Sequence, residues 1–157
     1  GAGIGPVRVR GDEAPMSEVT PPGCAERNHG RGWILQRDSM RVGIDLVEPE
    51  RFARAMERHT GILERVFTAA EREYCQTRPN PVQHFAARFA AKEAVGKALG
   101  TGVISWREIE ICSGGRPRVS VCGNTRLAAA AAGVGDLAIS ISHCGAFSVS
   151  VASSPGG

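Results

Sequence analysis

The rhythm of apolar and polar positions changes near residue 40. Residues 1–39 are rich in Gly, Pro and polar side chains and show neither a helical nor a strand period. A segment so poor in apolar surface cannot offset its ordering entropy, so 1–39 is expected to be a flexible leader or an expression-derived extension. Trp33-Ile34-Leu35 is its one sticky spot, and Met40 stands where a native start is expected. Residues 40–157 then form one domain. Residues 42–47 (VGIDLV) suit a buried strand by their β-branched content. Pro49 suits the first turn of a helix that runs to about His59 and stops at Gly61. Thr68-Ala69-Ala70-Glu71 has the spacing of a capping box and opens a second short helix. Arg78-Pro79-Asn80-Pro81 is expected to be loop, because neither proline fits a helix interior.

Residues 84–99 give the clearest helix, dense in alanine and closed by Gly100. Around Gly114-Gly115, residues 108–113 and 117–122 alternate as a β-hairpin does. Asn124 is placed to cap an alanine-rich helix over 125–132. Residues 137–143 alternate strictly, and 147–151 are expected to be their antiparallel neighbour. The fold class is α+β: a long buried helix packed on a small, mostly antiparallel sheet.

Composition narrows the function classes. A net charge of +3, with no basic run interleaved with aromatics, argues against a nucleic-acid partner. A mild basic excess suits a small anionic ligand or an acidic protein. The five cysteines (Cys24, Cys75, Cys112, Cys122, Cys144) include no CxxC pair and no zinc-finger spacing, so free thiols in a reducing compartment are expected. No apolar run is long enough for a signal peptide or a membrane span, and the expected location is cytoplasmic.

Three features carry candidate chemistry. Glu93 and Lys97 are four apart on one helix face, with Phe89 four before Glu93. A surface ion pair worth roughly 0.3–0.5 kcal/mol is the plain account, but the helix is mostly buried by its composition, and charges there need partners or a function. Asp45 interrupts an apolar strand, where an acid is costly; it is either capped or salt-bridged, or it serves chemistry. Should Asp45 and Glu93 approach, they make a hard-oxygen site suited to Mg²⁺, with Lys97 near enough to meet a phosphate. The Gly100-Thr101-Gly102 turn offers backbone N–H groups to an anion. Arg51, Arg54 and Arg58 share one face of the first helix, either as solvated surface or as a landing strip for an acidic partner. A lone His143 is by default structural.

Together these segments resemble the holo-acyl-carrier-protein synthase family of phosphopantetheinyl transferases. The resemblance rests on GIDLVEPERF at 43–52, FTAAEREYC at 67–75, RFAAKEAVGKALGTG at 88–102, IEI…GGRP at 109–117 and ISISH at 139–143, in the family's order. It implies a 4'-phosphopantetheinyl transferase-like fold. The implied reaction moves 4'-phosphopantetheine from coenzyme A to a serine of an apo-acyl carrier protein and releases 3',5'-ADP. It further implies that Asp45 and Glu93 ligate Mg²⁺, that Glu93 orients the serine hydroxyl, and that Lys97 stabilises the leaving group. By the same resemblance Arg51, Arg88, Lys97, Gly100, Ser105, Pro117 and His143 line or support the CoA cleft. The chain would form a homotrimer, and an acidic carrier helix would dock on Arg51, Arg54 and Arg58.

Two segments depart from the family's usual pattern. Val103-Ile104-Ser105-Trp106 follows GTG directly, without a longer glycine-containing loop, which alters the surroundings of Ser105. Cys144-Gly145 follows ISISH, and a thiol is a weaker donor than the usual polar residue. A non-catalytic module that holds CoA or carrier proteins is the competing class, against which the intact Asp45, Glu93 and Lys97 argue. No P-loop supports another nucleotide enzyme. Fatty-acid, polyketide and peptide-synthetase carriers all fit the pattern.

Overall fold

A computed structural model of the chain describes residues 40–112 and 114–155; the expectations for 1–39 lie outside these residues. In order come β1 (Arg41–Val47), α1 (Pro49–Arg58), α2 (Ile62–Val66), α3 (Ala69–Gln76) and α4 (Pro81–Leu99). A 3-10 turn (Trp106–Glu108), β2 (Ile109–Cys112), β3 (Arg118–Val121), α5 (Gly123–Ala131), β4 (Ala138–Cys144) and β5 (Phe147–Ser154) follow. One sheet has the order β1-β5-β4 and the other pairs β2 with β3; every pairing is antiparallel. The architecture is α+β.

The long helix organises everything else. Alanines give α4 both propensity and a thin profile, and 12 of its 19 residues are buried. It begins earlier than the two prolines suggest. Pro81 occupies the first turn, where its missing N–H costs nothing, and the Asn80 side chain accepts from Gln83 N at 3.4 Å. Gly100 ends it in the left-handed region at φ 78°. One side of α4 joins Ile109, Ile111, Ile139 and Ala152 in a core under the two sheets, and another joins Phe52, Phe67 and Phe85 under the short helices.

Strand β1 packs on α4 with no clearance. A Cβ added at Gly43 would overlap the Ala94 carbonyl oxygen and stand 2.5 Å from Ala98 N, so only glycine lets the backbones meet. Since side chains alternate along a strand, Asp45 shares the helix-facing side with Gly43. Val42, Ile44 and Leu46 face the other way and are 53%, 57% and 58% exposed. The expectation of a fully buried strand is therefore corrected: a helix covers only one face of this sheet.

The capping box at Thr68 forms as expected, with Glu71 N donating to Thr68 Oγ1 and Thr68 N to Glu71 Oε2. Helix α5 differs from expectation. It starts at Gly123, so Asn124 lies inside it, and its end is satisfied from a distance: Thr125 N and Thr125 Oγ1 both donate to Glu108 Oε2, at 2.8 and 2.9 Å. That carboxylate at the positive end of the helix is held below its usual range by the Thr125 bonds. Helix α2, only five residues long, has no counterpart in the sequence reading.

Candidate functional site

The contact at Gly43 brings Asp45 to the flank of α4. Lys97 Nζ reaches across and donates to Asp45 Oδ1 at 2.7 Å and to the Ile44 carbonyl at 3.0 Å. Its ion pair is thus with Asp45 on the strand rather than with Glu93 on its own helix. The lysine side chain is 51% exposed and the aspartate 17%, so the pair remains partly open to solvent and to ligands.

Glu93, one turn before Lys97, is half-buried. Burial pushes its carboxyl above the usual range, the charge on Asp45 adds to that, and Lys97 pulls the other way. A carboxyl whose ionisation is opposed by a neighbouring acid suits a divalent cation, whose charge offsets that repulsion. Among the described residues no group of three or more possible ligands gathers. A pair of carboxylates fits Mg²⁺, which keeps waters and takes substrate oxygens for the rest of its shell.

Asp45 and Glu93 open on a cavity of about 410 Å³. Glu48 and Arg51 add charge to its lining, and Phe52, Ala55, Ile62, Phe89 and Phe147 supply an apolar wall. Phe89 is held flat by Trp106, the rings 4.8 Å apart and 20° from parallel. A mixed cavity of this kind can hold a ligand with a charged group and a long, weakly polar arm. Glu48 and Phe147 escaped the sequence reading. Glu48 could have been suspected from its place at the start of a helix three residues after Asp45. Phe147 comes from a distant hairpin and carries no local signal.

The remaining sequence candidates fall into separate places. Arg54 and Arg58 are exposed on α1, where Arg58 Nε donates back to the Arg54 carbonyl at 3.1 Å. Arg88 is buried, with its guanidinium 4.1 Å above the Tyr74 ring, and Arg78 stacks on the same ring at the same distance. His143 stands nearby, its Nδ1 3.1 Å from Gln83 Nε2 and its ring 6.2 Å from that of His84. Burial first, then Arg88, His143 and Arg78, hold His84 below the ordinary histidine range. Ser105 lines a different cavity with Thr68, Arg72 and Arg107, and Pro117 lines a groove with Arg116, Arg118 and β4.

The turn after α4 does not present its amides as expected. Gly100 N donates to the Lys97 carbonyl at 3.0 Å and Gly102 N to the Gly96 carbonyl at 3.1 Å. Both N–H groups are spent inside the protein, because the turn lies directly on Gly96, where a Cβ would stand 2.5 Å from Gly102 C.

One chain therefore brings Asp45, Glu93 and Arg51 to one cavity, with Lys97 bonded to Asp45 beside it, and leaves Arg88, His143, Ser105 and Pro117 outside. Among the described residues, no helix is long and apolar enough to cross a membrane. Cys75, Cys112, Cys122 and Cys144 are free, and burial pushes the Cys75 thiol up to about 11.

Known proteins resemble this chain in sequence and in fold. A holo-[acyl-carrier-protein] synthase from Moorella thermoacetica is 49% identical over 117 residues, which cover 72% of this chain and 91% of that protein. One from Chlamydia trachomatis serovar D is 40% identical over 115 residues, 71% of this chain and 95% of its own. Among solved structures, the ACPS–CoA complex from Chronobacterium ammoniagenes superposes with a TM-score of 0.67 at 31% identity, covering 76% of this chain and 98% of that one. A Helicobacter pylori holo-[acyl-carrier-protein] synthase in complex with coenzyme A gives 0.60 at 26% identity, covering 71% and 96%. The model of the 4'-phosphopantetheinyl transferase superfamily matches residues 41–147, a span that holds the whole of the cavity and the strand-on-helix contact behind it, and the chain belongs to that superfamily.

Proposed function

We propose that this enzyme transfers 4'-phosphopantetheine from coenzyme A to a serine of an apo-acyl carrier protein and releases 3',5'-ADP. The observation that carries the reading is a cavity with both charged and apolar lining that holds Asp45 and Glu93, with Lys97 bonded to Asp45 beside it. Relatives named holo-[acyl-carrier-protein] synthase and the CoA complexes of similar structures support the donor and the acceptor. The domain that does this work spans 40–157, and we place it in the cytoplasm.

Asp45 and Glu93 would hold Mg²⁺, which when bound draws negative charge from the pyrophosphate oxygens. Lys97 supplies the complementary charge on the protein side. Asp45 and the Ile44 carbonyl take two of its three ammonium protons and fix its position, which leaves the third for the departing phosphate. Glu93, whose proton affinity is raised by burial and by the Asp45 charge, would orient the attacking serine hydroxyl. Phe52, Phe89 and Phe147 exclude water along the pantetheine arm. Arg51 faces the cavity, and with Arg54 and Arg58 it forms a basic face on α1 that suits an acidic carrier helix.

The chain would work as a homotrimer. The apolar outer side of β1 (Val42, Ile44, Leu46) lies at the edge of its sheet, and such a patch marks an interaction surface. A second copy would also bring its own Pro117 and His143 toward a cavity that one chain leaves open. Gly100 and Ser105 would then support the site from behind rather than touch CoA.

The decisive experiment is mass spectrometry of an apo-carrier protein incubated with the enzyme, CoA and Mg²⁺. A gain of about 340 Da, the increment expected for covalent phosphopantetheine, supports transfer. No gain across fatty-acid, polyketide and peptide-synthetase carriers would reduce the chain to a binding module.

A further inference from the structure

The only lysine of α4 besides Lys97 is Lys92, which is wholly buried beside the cavity's acid in sequence yet turned away from it. Its Nζ donates to Glu71 Oε2 at 2.7 Å, to the Val66 carbonyl at 2.8 Å and to the Trp106 carbonyl at 2.9 Å. All three ammonium protons are used. Glu71, 1% exposed, is equally saturated: Oε2 also accepts from Thr68 N at 2.9 Å, and Oε1 accepts from Ile111 N at 3.0 Å. One ion pair thus joins α4 to the end of α2, the start of α3, the 3-10 turn and β2.

We infer that Lys92, through its pair with Glu71, is a positioning residue that fixes the roll of α4 so that Glu93 and Lys97 stand opposite Asp45. The inference deepens the proposed function and rests on its metal reading.

Two anchors set the orientation of a helix about its own axis. On one flank the Gly43 contact presses β1 onto the α4 backbone at Ala94 and Ala98. That contact limits distance, but a row of alanines slides easily. On the other flank Lys92 is tied to three directional partners, and a small roll would break several charge-assisted bonds together. Glu93 follows Lys92 by about 100° of helix and is carried with it. The same Trp106 whose carbonyl accepts from Lys92 stacks its indole on Phe89 in the cavity wall.

The energetics favour a role in geometry. A dry ion pair regains in Coulomb attraction roughly what it lost in hydration, and well-packed apolar residues of similar volume often serve stability as well or better. Direction is what apolar residues cannot supply. A role in stability alone and a role in positioning therefore predict different behaviour when both partners become apolar.

The test is the double variant Lys92→Met/Glu71→Leu in the full chain, measured three ways: thermal midpoint, Mn²⁺ binding by electron paramagnetic resonance with CoA present, and transfer kinetics. The double variant should fold with a midpoint close to the parent. Its Mn²⁺ dissociation constant should rise about tenfold, the lower end of what lost support of metal ligands costs. kcat should fall in step, while the KM for the carrier protein, which docks on α1, stays put. A folded double variant with parental Mn²⁺ affinity and kcat overturns the inference. Should the double variant fail to fold, Glu71→Gln keeps one acceptor for Lys92 and loses the oxygen facing Ile111 or its partner. A smaller rise in the Mn²⁺ constant is expected there, and parental binding again overturns the role. A parent that binds no Mn²⁺ with CoA present refutes the metal reading and this inference with it. A parent that binds Mn²⁺ but transfers nothing refutes only the function, and the binding data still decide the positioning role.

Discussion

Glu93 carries the sharpest consequences at the scale of single residues. Its carboxyl is held above the usual range by burial and by Asp45, so the fold favours its protonated form. That contribution is fully present below the ordinary glutamate value and is lost as pH rises through the raised one. Ionising Glu93 therefore works against folding, which the proposed metal role would offset. Glu93→Gln should melt at or above the parent temperature while Mg²⁺-dependent transfer nearly vanishes; full activity would remove Glu93 from the metal site. With the proposed metal role, protons and the cation would compete for this carboxylate, so the Mg²⁺ concentration for half-maximal activity should climb as pH falls toward the raised value. Lys97→Ala should lower kcat more than it raises the KM for CoA, as the role proposed for the ammonium at the leaving phosphate requires. These three residues were visible in the sequence for physical reasons: an acid in an apolar strand and a charged pair on a mostly buried helix. Their true pairing was not visible. Lys97 pairs with Asp45 because the contact at Gly43 brings the strand onto the helix, and no spacing along one helix records that.

At the scale of elements, close approach is the theme. Gly43→Ala drives a methyl into the Ala94 carbonyl, where backbone cannot step aside. Overpacking of this kind should cost about 1–3 kcal/mol in urea titration, and transfer should fall because β1 must retreat and take Asp45 along. Thr68→Ala removes one bond of the capping box and should cost about 1 kcal/mol, with kinetics little changed. The type of each main helix and strand was legible from periodicity, alanine content and glycine stops. Boundaries slipped where a group outside the element decided them. Pro81 entered α4 because Asn80 caps it, and α5 began at Gly123 because Glu108, distant in sequence, satisfies its first amides. Local pattern contains the first of these, a capping residue followed by a first-turn proline, but not the second.

For the whole molecule, the exposed side of β1 and the scattered candidates point the same way. Leu46→Asp should shift the mass measured by light scattering from trimer to monomer and abolish transfer, leaving the single chain folded. A mass that stays trimeric would move the interface elsewhere. The docking face makes a separate prediction. Arg54→Glu with Arg58→Glu should raise the carrier KM and weaken its dependence on salt, with the KM for CoA unchanged. Arg88, His143, Ser105 and Pro117 could not be placed relative to Asp45 from sequence, since their relation depends on tertiary folding and, on this reading, on a second copy.

Helix α4 packs 12 of its 19 residues into the core and carries two of the three central side chains on what is left. Evolution has little freedom there, because almost any substitution that retunes the chemistry also disturbs the scaffold. The adjustable walls of the cavity lie elsewhere, at Ala55 and Ile62 near the first helices and at Phe147 in the last hairpin. Drift in substrate preference among relatives should accumulate at those three positions, and a mutagenesis library aimed at new donors would best begin with them.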